Sequence, residues 1–357
     1  SDLNITTLEA DIFRGSLTHN FSETSKGIFS ITSSEFEKLY QNLYASGYDA
    51  TANVVTLDGY RDPTERENFI ISGNLINEVQ IGSTTHTILI GAEMIDTDNK
   101  NHRYDSYWST TQKDKESFNV SRPLNIGINS AGVSTGVNFN TKLKSKTTSD
   151  IEVTSFYIQD QIDVSDSLKL MLGGRIDQFD ITVDDIKSGT SQSRNDDEFS
   201  PRAGVIFKPE DNISVYYSYS ESFLPRSGEQ FKKLTASSAA LDPDVYENSE
   251  IGVNWDITPD LSLRASYFDS EQTVATRDAS GEGAEIVGLR VDGLELELKG
   301  QVNDQLYVQF GYSKMDGKTS SGGEPREIPE HTVSLWTTYQ VSDKFGYGIG
   351  FTRQGES

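Results

Sequence analysis

SPRAGVIFKPEDNISVYYSYSESF (Ser200–Phe223) alternates in a way that admits only two kinds of fold. In its second half Ile213, Val215, Tyr217 and Tyr219 occupy alternate positions, and Ser214, Tyr216, Ser218 and Ser220 fill the places between. Successive side chains of a strand point to opposite faces, so one face is apolar or aromatic and the other mostly hydroxyl. Two kinds of fold use such a strand. A soluble sandwich buries the apolar face in its core. A membrane barrel turns that face to lipid and the polar one to a wet lumen. One strand cannot choose between them, so the neighbours must.

The same alternation recurs. Leu294, Leu296 and Leu298 oppose Glu295, Glu297 and Lys299, and Leu261, Leu263, Ala265 and Tyr267 oppose Ser262, Arg264 and Ser266. Leu168, Leu170 and Leu172 oppose Lys169, Met171 and Gly173, with Arg175 and Asp177 further along that polar side. Leu306, Val308, Phe310 and Tyr312 oppose Tyr307, Gln309, Gly311 and Ser313; Val333, Leu335 and Tyr339 oppose Thr332, Ser334, Thr338 and Gln340. Burying such Glu, Lys and Arg in a dry core would cost several kcal/mol for each unpaired charge, roughly. Those faces must meet water, and across many strands they share a lumen.

Composition agrees. Only 34% of the 357 residues are hydrophobic, low for a chain that would otherwise bury a large core, while 10% are aromatic, too many for disorder. A barrel with a polar interior reconciles the two. The net charge of −24 excludes a nucleic-acid binder, which needs a basic footprint, and argues against a basic peripheral membrane patch. With no cysteine there is no disulfide, thiolate metal site or thiol nucleophile. No run approaches about 18 apolar residues, so no membrane helix is expected, and a barrel needs none.

Spacing gives the topology. Tight connections are expected at Pro209–Asn212, Val164–Ser167, Thr258–Asp260, Val302–Asp304 and Val341–Asp343, each with the Asp or Asn of a short hairpin. Long ones fall near 96–148, 180–199, 221–248, 270–289 and 313–330, alternating with the tight ones. Outer-membrane barrels have this asymmetry of short periplasmic turns and long extracellular loops. We expect about fourteen or fifteen strands, long enough for the roughly 9–11 residues of a tilted membrane strand. Tyr217, Tyr219, Tyr267, Tyr312, Trp336 and Tyr339 lie where an interfacial aromatic girdle could use them.

Longer motifs point to a family. SFYIQDQIDVSDSLKLMLGGRIDQFD (Ser155–Asp180) pairs an aromatic-x-Gln-Asp strand with Leu-x-x-Gly-x-Arg-x-Asp. SPRAGVIFKPEDNISVYYSYSESFLPRSGEQF (Ser200–Phe231), LDPDVYENSEIGVNWDI (Leu241–Ile257), GLRVDGLELELKGQV (Gly288–Val302) and IPEHTVSLWTTYQV (Ile328–Val341) follow in order. Over about residues 150–341 the chain resembles the barrel of TonB-dependent outer-membrane receptors, nearest the ferric (catecholate-type) siderophore branch. The resemblance implies an all-β, antiparallel transmembrane barrel. It reads residues 1–357 as one barrel domain, incomplete at both ends, out of about 22 strands, with the plug domain elsewhere. It further implies uptake of a ferric siderophore at the Gram-negative outer membrane, in contact with outer-membrane lipid and energised by the TonB–ExbB–ExbD complex. No catalysis and no intrinsic cofactor are expected. The alternatives are an importer of another large nutrient (cobalamin, oligosaccharide), a passive porin, or a soluble β-rich binding protein.

Chemistry-bearing patterns are few. Gly132–Gly136 fits Gly-x-Ser-x-Gly but lies in a Gly/Ser/Asn-rich loop, without the strand-to-helix elbow that a serine hydrolase needs. Asp96, Asp98, Asn99 and Asn101 lack the glycine and distant glutamate of a calcium loop. His19, His86, His102 and His331 are scattered, and no metal site is expected. Two clusters suit an anionic, aromatic ferric chelate, through guanidinium charge and ring faces. The first is Arg103, Tyr104, Tyr107 and Trp108, followed by Phe118 and Arg122; the second is Phe223, Arg226 and Phe231. The other reading of these residues is loop packing. Arg175, Arg202, Arg264, Glu295, Glu297 and Lys299 are expected to line the lumen, pair across strands and contact a plug.

Overall fold

The computed structural model of the chain describes residues 3–225, 234–235, 241–277, 283–325 and 328–356, with 275–277 and 283–287 described by backbone alone. Period-two sequence gives strands throughout. They are β1 (Ile5–Asn20), β2 (Ser25–Asp49), β3 (Val54–Ile81), β4 (Thr84–Trp108), β5 (Glu116–Asn119), β6 (Val137–Ser165), β7 (Leu168–Asp185) and β8 (Thr190–Glu210). Then come β9 (Ile213–Leu224), β10 (Asp244–Thr258), β11 (Leu261–Arg277), β12 (Gly283–Asn303), β13 (Leu306–Thr319), β14 (His331–Ser342) and β15 (Phe345–Gln354). All belong to one antiparallel sheet in chain order, except that β5 pairs with the far end of β3. β1 and β15 are its two edges.

All five tight connections fall where the sequence puts them, each leaving two residues between strands. The long connections are shorter than expected. Expected loop residues around 180–199 are strand on both sides of a turn at 186–189, and β4 runs on to Trp108. The reason is that pairing continues without a break: Phe179, Ile181 and Val183 face Asp196, Arg194 and Gln192 across the β7–β8 register. Several strands therefore far outrun the roughly 9–11 residues that cross a bilayer.

Faces divide as the alternation requires. On the apolar side Ile90, Phe156, Ile158, Leu172, Ile176 and Leu294 stand exposed, Phe156 at 60% and Leu294 at 45%. On the polar side Arg264, Glu295, Glu297, Gln309, Ser313 and Ser334 border one open cavity of about 490 Å³. The opening strand obeys the rule: Val215 and Tyr217 are exposed on the apolar side, and Tyr216 reaches the polar cavity. Trp336 departs from the girdle expectation. Its register partner is Gly350, beside Thr338 opposite Gly348, so it shares the polar side with Thr332 and Ser334 and lies over two glycines that leave it room. Sequence position near a strand end does not set the face; parity does.

The polar wall is partly paired. Arg175 Nη2 donates to Glu93 at 2.8 Å and to Ser155 Oγ at 2.6 Å, and its Nε donates to Asp177 at 2.7 Å. Ser155 itself donates to Asp177. The same guanidinium lies 5.4 Å from the Tyr157 ring, which covers Gly91 where a Cβ would stand 2.1 Å from a ring carbon. Arg264 faces Glu297 in register but makes no ion pair with it.

A row of acid lies on the apolar side, beyond the apolar band. Asp11, Glu35, Glu67, Asp98 and Asp150 sit in direct register across five neighbouring strands, all exposed. Like charges opposite one another oppose pairing, so this row is held by the sheet and by water.

Gly300 carries a testable backbone requirement. Its φ is +138°, and a Cβ there would lie 1.9 Å from the Asp260 carbonyl oxygen. Gly300→Ala must shift the β11 turn as well as adopt a disfavoured φ, a cost of about 3 kcal/mol. We expect a lower melting temperature for the full-length protein in detergent; an unchanged transition would refute the assignment.

Candidate ligand-binding site

The far ends of six consecutive strands, opposite the tight turns, enclose a cavity of about 860 Å³ on the polar side. That is large enough for a chelate-sized ligand. Lys38 and Tyr40 come from β2, Tyr60 and Asp62 from β3, Arg103 from β4 and Asp185 from β7. Alternation explains the set. Lys38/Tyr40 and Tyr60/Asp62 are pairs two apart, and Tyr40 is the register partner of Asp62.

Arg103 anchors the wall. Its guanidinium carbon lies 3.8 Å from the Tyr60 ring centroid, and its Nη1 donates to Asp62 Oδ2 at 3.3 Å. Tyr60 in turn packs on Tyr40 at 5.6 Å and Tyr44 at 6.2 Å between centroids. Burial, then the neighbouring Tyr40, holds the Tyr60 phenol above its ordinary value. Burial, followed by Lys146, pushes His102 below the usual histidine value.

A second feature floors the cavity. Ile151, Phe179, Ile181 and Val183 make a buried apolar patch on a face that is otherwise polar, and Leu234 from the β9–β10 connection closes it. Leu234 and Thr235 are also cavity wall. Beside this patch Arg194 grips Asp196, with Asp242 at 3.8 Å.

The sequence-derived clusters divide sharply. Arg103 lines the cavity. Trp108 and Phe118 come together, their rings 5.0 Å apart, but both are 0% exposed. They form a loop core with Leu57, backed by Leu43, Val55, Leu124, Ile126 and Val137. The structure places these two rings in the loop packing and not on the cavity wall. Tyr104 and Tyr107 are half-buried strand residues away from the cavity wall, and Arg122 is exposed before Pro123. Phe223 sits in β9 opposite Val245, on the parity of Tyr217, and so on the apolar side. Arg226 and Phe231 lie outside the described residues. Sequence reasoning missed Lys38, Tyr40 and Tyr60. The signal was present as period-two spacing in EFEKLY (Glu35–Tyr40) and LDGYRD (Leu57–Asp62), but those residues lie outside the stretch that carries the family motifs.

Comparison with known proteins agrees with the fold. The chain is 28% identical over 228 residues to the probable TonB-dependent siderophore receptor PiuA of Acinetobacter baumannii, covering 56% of this chain and 31% of that protein. It is 25% identical over 296 residues to the ferrichrome outer membrane transporter/phage receptor of Escherichia coli, covering 79% of this chain and 37% of that one. It thus spans about a third of the length of these curated relatives. The crystal structure of the Escherichia coli ferric-catecholate import receptor Fiu in its closed form superposes with a TM-score of 0.81 at 17% identity, over 100% of this chain and 56% of that one. The solved siderophore receptor PiuA gives a TM-score of 0.80 at 20% identity, over 99% and 55%. The family model described as TonB dependent receptor-like, beta-barrel matches residues 2–357. The alternating faces, the asymmetric connections and that match have one reading: the chain belongs to the TonB-dependent receptor-like β-barrel family, an outer-membrane fold of Gram-negative bacteria.

Proposed function

We propose that the protein takes up ferric siderophores in a TonB-dependent manner and that the cavity around Arg103 and Tyr60 is where the chelate first binds. The observation that carries this is the cavity itself: about 860 Å³, on the polar side, at the end away from the tight turns, walled by Lys38, Arg103, Tyr40 and Tyr60 together with the carboxylates Asp62 and Asp185. Relatives named as siderophore receptors support it. The apolar outer face meets lipid. Energy comes from the TonB–ExbB–ExbD complex, acting through a plug. No bond is made or broken in the ligand by this chain, so it is a transporter component and not an enzyme. Nothing in the cavity favours cobalamin, oligosaccharide or passive-porin readings over this one.

Uptake of radiolabelled iron(III) tris-catecholate by iron-starved cells tests it. We expect uptake to fall to background on deletion of the gene and on collapse of the proton gradient. Uptake that persists without the proton gradient would return the protein to the passive-pore class.

A further inference from the structure

Sequence alone makes Arg103 the natural partner of an anionic ligand. The structure spends that side chain elsewhere. Its guanidinium is bound to Asp62 at 3.3 Å and seated 3.8 Å over Tyr60. Turning to a ligand would break an ion pair and a ring contact together. Asp185, the other acid of the wall, is also committed: its Oδ1 accepts from the backbone N–H groups of Lys187 at 2.9 Å and Ser188 at 3.0 Å.

Lys38 is different. It sits two residues from Tyr40 on the same strand face, opposite Thr64 in register, exposed and lining the cavity. Among the described residues it makes no ion pair, and it is not one of those holding a further partner. We propose that Lys38, and not Arg103, reads the charge of the ligand, and that the cavity takes a net-anionic aryl chelate in preference to an uncharged one. This rests on the uptake reading above and narrows it.

The chemistry divides the labour. An ammonium is a compact point charge on a flexible stem, with no fixed fork. It suits a chelate whose negative charge is spread over several oxygens. Tyr40 and Tyr60, tilted at 35° to each other, offer ring surface for an aryl group. Arg103 and Asp62 then act as positioning residues that fix the Tyr60 ring. The Arg103–Asp62 pair is neutralised internally and Asp185 stays anionic but is held in its own turn, so Lys38 is the flexible cation of the wall left to meet a ligand.

The test uses the full-length receptor in detergent and two iron(III) chelates of similar size, a net-negative tris-catecholate and an uncharged tris-hydroxamate. Wild type should bind the tris-catecholate more tightly. Lys38→Met should weaken it about tenfold at low salt, with the difference shrinking as salt is raised, and leave the tris-hydroxamate unchanged. Lys38→Arg should restore most of the loss. An unchanged tris-catecholate affinity in Lys38→Met, or an equal loss for both chelates, would overturn the role of Lys38. Wild-type preference for the uncharged chelate would overturn the ligand class while leaving uptake intact. Binding of neither chelate by wild type would overturn both.

Discussion

Trp108→Ala is expected to cost about 3–5 kcal/mol of local stability, the range for emptying a large aromatic site in a packed interior. The ring is fully buried against Phe118 and Leu57, and its backbone N–H caps the turn by bonding Lys113 O at 2.9 Å. The side chain can be lost without disturbing the membrane-spanning half of the sheet, because the cluster lies where β5 pairs the far end of β3. Limited proteolysis of the full-length protein should therefore show cleavage within residues 109–136, while the barrel stays folded. Trp108→Phe keeps an aromatic ring in the site and should be resistant. If Trp108→Ala leaves the loop uncut and instead lowers chelate affinity, the ring is a ligand contact and the packing assignment is wrong.

Arg175→Met should be the most damaging single change on the lumen wall. It strips the charge partner from Asp177, whose side chain is only 7% exposed, and from Glu93 at 24%. Breaking a buried pair costs roughly 3–5 kcal/mol, and the 27% exposure of Arg175 puts this one near the lower end. The double variant Arg175→Met with Asp177→Leu removes the stranded charge as well and should recover part of the loss. Thermal melting in detergent reads both. A double variant no more stable than the single one would mean that Asp177 is satisfied without Arg175.

Much of the fold is legible in the sequence, because the signal there is physical and repeated. Leu294–Glu297 alone shows two faces, and five Asp/Asn turns fix which strands are neighbours. The strand ends are less legible. Phe179, Ile181 and Val183 continue the spacing of Arg175 and Asp177 on one face but change it from polar to apolar, a switch that reads as a loop until Leu234 is seen to cover it. The site is least legible. A run such as HRYDSYW places a cavity cation and a buried core ring five residues apart, and only the register tells Arg103 from Trp108. Tyr40 and Tyr60 meet through β2–β3 pairing at a sequence distance that no local motif spans.

The long strands have a consequence for how such a protein can change. β4 carries exposed apolar-side residues such as Ile90 and Met94 and, further along the same ribbon, the cavity residue Arg103. The two parts share nothing but a count. Adding or deleting one residue between them would turn Arg103 to the outside, whereas two would lengthen the strand and keep it in place. The β4–β6 register slips at Arg103/Tyr104 and again at Asp105/Tyr107, at the rim end where such miscounts can be absorbed. Length variation among descendants of this chain should accordingly come in even steps within the strands and in any step at the rim, so that the rim can diverge by insertion while the half with the exposed apolar band keeps its frame.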